Sequence, residues 1–171
     1  MNGRPRTVQK ALVALGMLLA LIGCDNQRIA ELEEGVATEA DVRARFGAPE
    51  TVWDEPDGSR VFEYTRQPAG QRNYQITVGP DGRMTALRQV LNPANFAKIQ
   101  PGMTAAQVRR LLGRPARTTP FALTRETHVD WRYLDGPNTA MVFSVVFGAD
   151  DRVIRTASLP DPEANEHRGG R

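Results

Sequence analysis

Three hydrophobic patterns follow one another along the chain. Residues 11–22 are an unbroken run of apolar residues and one glycine behind a basic start (Arg4, Arg6, Lys10). Spanning a bilayer takes about 20 apolar residues, so this shorter run fits the core of an export signal. Helical spacing comes next, with Val42 and Phe46 on one stripe and Val108, Leu111 and Leu112 on another. Thr38-Glu-Ala-Asp41 and Thr104-Ala-Ala-Gln107 open these stripes as capping sequences, in which hydroxyl and N3 side chain satisfy orphan backbone donors. Gly47 and Gly113 close them as left-handed caps, each with a proline two residues on. Then the period drops to two: Tyr74, Ile76 and Val78, and later Phe143, Val145 and Phe147, alternate as strands with one buried face.

The same order occurs twice. Thr38 to Gly47 lies against Thr104 to Gly113, Phe62-Glu63-Tyr64 against Trp131-Arg132-Tyr133, and Tyr74 to Met84 against Phe143 to Val153. Asp81-Gly82 and Asp150-Asp151 are turns into a last strand that begins at Met84 or Val153. Asn92-Pro93 opens a further short helix, the asparagine as cap and the proline at the first helical position. The fold class expected is α+β, a tandem duplication of a unit with two helices packed on a three-stranded antiparallel sheet. A fourth strand near Val52-Trp53 is an option. The boundaries expected are a leader over 1–23, units over 24–91 and 92–159, and a disordered tail over 160–171. Units of about 65 residues are marginal alone, so the two are expected to share a sheet or a tight interface.

Leu21-Ile22-Gly23-Cys24 ends the apolar run and resembles the lipobox of bacterial lipoproteins. The resemblance implies that Cys24, the only cysteine, takes up diacylglycerol and becomes the first mature residue. Several acyl chains would anchor stably where one would not. Asp25 follows, which the sorting rule of some lineages reads as retention in the inner membrane. The leader also explains the charge. The chain has 22 basic and 20 acidic residues, but the leader holds three of the bases and no acid, so the pI near 9.0 is no footprint of nucleic-acid binding.

The lipobox, the Gly-Met-Thr-x-x-x-Val-x-x-x-Leu-Gly-x-Pro run from Gly102 to Pro115, the aromatic strand after it and the Phe147-x-x-Asp150 turn resemble the BamE/SmpA/OmlA lipoproteins. Residues 98–153 carry the better copy and 32–90 a diverged one. The resemblance implies an accessory subunit of the outer-membrane β-barrel assembly machine, non-enzymatic and facing the periplasm, with the outer membrane as its favoured residence. Tandem units of this shape also look like the β-lactamase inhibitory proteins, so capture of an envelope or secreted enzyme is the alternative.

Catalytic sets are not found in the sequence. His128 shares a strand face with Asp130, and the other histidine, His167, sits in the polar tail, which leaves no Ser/His/Asp triad. No metal centre or cofactor is expected beyond the lipid on Cys24. Asp54, Glu55 and Asp57 cluster around Pro56 and Gly58 as a hairpin turn. Two surface features remain. The first unit is acidic and the second basic, and Arg109, Arg110, Arg114 and Arg117 crowd the second unit's helix and its exit loop. These four are the candidate contacts for an acidic partner protein or anionic lipid, with a solvated helix face as the other reading.

Overall fold

Thr38 and Thr104 cap helices as their sequences require in the computed structural model, which describes residues 32–166. Helix α1 is Glu39–Phe46, α2 is Pro93–Phe96 and α3 is Ala105–Leu112. Ahead of α1, the Asp41 N–H donates to Thr38 Oγ1 at 3.3 Å and the Thr38 N–H to the Asp41 carboxylate at 2.9 Å. Thr104 and Gln107 repeat the exchange at 3.2 and 2.8 Å. Gly47 and Gly113 end the two helices with φ of +84° and +75°. Their ψ values, −159° and −171°, carry them past the left-handed helical region into one that only glycine occupies readily.

Behind each helix stands an antiparallel sheet. The first, in order β1-β2-β3-β4, is built from Thr51–Asp54, Arg60–Thr65, Asn73–Val78 and Met84–Gln89. The second, β5-β6-β7-β8, is built from Arg117–Phe121, Glu126–Asp135, Thr139–Phe147 and Val153–Pro160. Each sheet thus has four strands rather than three, the strand containing Val52 and Trp53 being β1. The pairing of third with fourth strand shifts register at a matching place in each sheet, between Thr77 and Val78 and between Val146 and Phe147, before Gly79 and Gly148 close equivalent turns. Pleat alternation sends Phe62, Tyr64, Tyr74, Ile76 and Val78 onto Val42 of α1. In the second unit Trp131, Tyr133, Phe143, Val145 and Phe147 pack on Val108 and Leu112 of α3. Phe96 of α2 closes that core, its ring stacked on Phe143 at 4.1 Å.

Two expectations need correction or fall elsewhere. Residues 160–166 are not a disordered tail. Pro160 ends β8, and Asp161, 2% exposed, binds the Arg132 guanidinium at 2.7 Å before helix α4, Pro162–Glu166. The leader, Cys24 and Asp25 lie outside the described residues. Near the start of the described residues, Leu32 and Ala37 pack into the first core from a turn. No helix among the described residues is long and apolar enough to cross a membrane.

Candidate functional site

The outer face of the first sheet carries the polar half of its strand alternation. Glu63 on β2 and Asn73 and Gln75 on β3 point away from the first core, yet Glu63 and Asn73 are completely buried. What covers them is α3 of the second unit. Asn73 donates to the carbonyls of Leu112 and Arg114 at 2.8 and 2.9 Å, and Gln75 to that of Arg110 at 2.8 Å. The last carbonyls of a helix have no partners within it, so the first sheet acts as the C-terminal cap of a helix in the other unit. Trp131 adds a bond from inside the second core, its indole N–H donating to the Gly113 carbonyl at 2.9 Å.

Charge completes the seam. Arg109 pairs with Glu63, whose same oxygen accepts the Arg114 backbone N–H at 3.0 Å. Arg110 pairs with Glu55 and lies over the Trp53 ring, 4.6 Å from its centroid. Burial pulls the Arg110 guanidinium below its usual pKa. Arg114 reaches Glu50 at 3.3 Å. Of the four sequence-predicted contact arginines, three therefore bind acids of the first unit, inside the molecule. Arg117 faces the other way, toward Asp130 at 3.4 Å and Glu163 at 3.9 Å. Sequence reasoning passed over Glu63, Asn73 and Gln75, although the opposite charges of the two units pointed to a seam between them.

His128 sits beside Glu126, its Nε2 at 3.2 Å, while Asp130 takes the Ser144 hydroxyl at 2.6 Å. His128 thus pairs along its own strand, and Asp130 pairs across to β7. Glu126 also receives two bonds from Arg155, and these, ahead of the one from His128, hold its carboxyl down to about 2.

The other flank of α3 is open. A groove of about 410 Å³ runs between this helix and the β5–β6 hairpin, over Val129, Trp131 and Phe147. Its counterpart in the first unit is filled. There Arg43 and Arg60 hold their guanidinium groups 4.8 and 5.3 Å from the Phe62 ring centroid, and both bind Glu39.

Residues 89–156 match the model of the outer membrane protein assembly factor BamE domain. The second unit is similar to a BamE domain. The match runs from the last residue of β4 into β8, so the matched stretch contributes the arginine side of the seam and every residue of the groove. Glu63, Asn73 and Gln75 lie before it. None of the curated proteins matches the chain. Among solved structures, the chain is similar to a putative osmotically inducible lipoprotein, OsmE, with 20% identity over 46% of this chain and 82% of that one, at a TM-score of 0.36. A DUF4309 family protein, YjgB, from Bacillus subtilis shares 20% identity over 81% and 93%, at 0.30. A putative β-lactamase inhibitor protein from Streptococcus mutans shares 9% over 72% and 82%, also at 0.30.

Proposed function

We propose that this chain is a lipid-anchored envelope protein that works by holding other proteins during outer-membrane assembly, without catalysis of its own. The observation that carries the reading is the BamE-domain match at residues 89–156. The Leu21-Ile22-Gly23-Cys24 sequence supplies the anchor, with the lipid on Cys24. The side-chain chemistry agrees with a contact function. The acids Glu39, Glu50, Glu55, Glu63, Glu126 and Asp161 are all committed to arginines, a use of carboxylates that fixes architecture rather than moving protons. The second reading, capture of a single envelope or secreted enzyme, makes a different forecast in the same experiment.

Affinity purification from native envelopes separates the two, with Cys24→Ser run alongside. Subunits of the barrel-assembly machine recovered with the wild-type chain, and uncleaved precursor in the variant, are the expected result. A single hydrolase in place of those subunits would support the capture reading. An unmodified cysteine in the mature protein by mass spectrometry would remove the anchor.

A further inference from the structure

The groove beside α3 is the counterpart of the first unit's filled site, with Arg109 along one wall but no guanidinium over its aromatic ring. Four positions decide this. Glu39, the first residue of α1, corresponds to Ala105 of α3, Arg43 to Arg109, Arg60 to Val129 and Phe62 to Trp131. In the first unit the two guanidinium groups cover the aromatic ring and share the Glu39 carboxylate. In the second unit one arginine has become valine, and the other, Arg109, turns its head away to Glu63 across the seam. The aromatic floor stays.

The carboxylate also stays, from a different source. Asp151 in the β7–β8 turn occupies the position that Gly82 holds in the first unit, and it lines the groove together with Ala105 at the start of α3. Its backbone φ of +56° holds it in the turn, and its side chain makes no hydrogen bond or ion pair among the described residues. An acid is therefore again set at the helix N-terminal end of an apolar channel, beside Val129 and Trp131, with Thr118 and Thr127 also lining it. The missing piece is a cation on an apolar stem.

We propose that this groove receives an arginine side chain from a partner protein, its methylenes along Val129 and Phe147 and its guanidinium at Asp151. Charge complementarity selects the occupant. A purely aliphatic side chain would leave Asp151 unpaired, and an acidic one would meet it with like charge, whereas arginine buries its stem and keeps its head at the polar rim. The inference rests on the reading that the chain acts by contact and names the chemistry of one such contact.

The test is an NMR titration of the full-length chain with N-acetyl-arginine methylamide, and in parallel with N-acetyl-norleucine methylamide. The arginine compound is expected to shift the Val129 methyls and the Trp131 indole N–H saturably, with little response to norleucine. Asp151→Asn, which suits the same turn conformation, should weaken binding about threefold to fivefold, as loss of a partly exposed ion pair does. Val129→Arg, which restores the residue of the filled site, should abolish it. Thermal melts establish that both variants are folded. Equal responses to the two compounds, undiminished binding to folded Asp151→Asn, or shifts confined to other residues would overturn the proposal. So would movement of the Val129 and Trp131 signals on removal of residues 167–171, which would place the chain's own Arg168 or Arg171 in the groove. None of these outcomes alters which proteins co-purify from the envelope, so a failure here is distinct from a failure of the proposed function.

Discussion

Glu63 of the first sheet and Arg109 of the second unit's helix form an ion pair in which the carboxylate is wholly buried and the guanidinium about three-tenths exposed. One carboxylate oxygen takes both Arg109 and the Arg114 N–H, and the other has no hydrogen-bond partner among the described residues. The charge is thus balanced from one side only. Removing the arginine strands it.

Arg109→Ala is accordingly expected to destabilise by about 3 kcal/mol, the low end for breaking a buried pair, because the arginine itself touches water. Glu63→Gln keeps the shape, loses the charge and should cost less. Urea denaturation of both variants decides the matter. Equal costs for the two would mean that the stranded charge is not what the pair guards against.

Gly47 and Gly113 share an unusual backbone, but their surroundings differ. A Cβ on Gly47 would meet nothing within 4 Å, whereas one on Gly113 would lie 3.0 Å from the Asn73 amide nitrogen. Gly47→Ala should therefore cost only the conformational penalty, about 1–3 kcal/mol. Gly113→Ala should cost more, because it also pushes Asn73 off the Leu112 and Arg114 carbonyls. Comparison of the two melting temperatures is the measurement, and a smaller loss at Gly113 would contradict the seam geometry.

Acid stability offers a third check. The Arg155 and His128 bonds lower the Glu126 carboxyl from its usual 4.5 to about 2 in the folded protein. A folded pKa below the unfolded one stabilises at pH above about 4.5, and the contribution fades as pH falls toward about 2. Glu126→Gln should flatten that part of the stability-against-pH curve and leave the neutral limb parallel to wild type. Superimposable acid limbs would show that this carboxylate is not held down by its neighbours.

Local order was legible in the sequence wherever the chain signals to itself. The boxes at Thr38 and Thr104, the glycine stops and the alternation around Ile76 and Val145 are short-range patterns, and each became the element expected of it. The seam was less legible. Polar residues between apolar ones in a strand, such as Glu63 between Phe62 and Tyr64, look the same whether the outward face meets water or another unit. An arginine row on a helix is equally ambiguous, which is why Arg109, Arg110 and Arg114 read as outward contacts. The C-terminal segment was misread for a related reason. Its Pro-Asp-Pro composition suggests disorder, and only the distant Arg132 reveals that Asp161 is anchored.

Helix α3, eight residues long, has the groove on one flank and the seam on the other. Shifting the helix to widen the groove would break the Glu63 pair and uncap three carbonyls at once. Rotating it in place would drag Val108 and Leu112 out of the second core. Neither motion has a cheap direction. Mechanically the helix is a keyed shaft, and a side chain that enters the groove meets a fixed wall whose shape was set when the two units closed on each other.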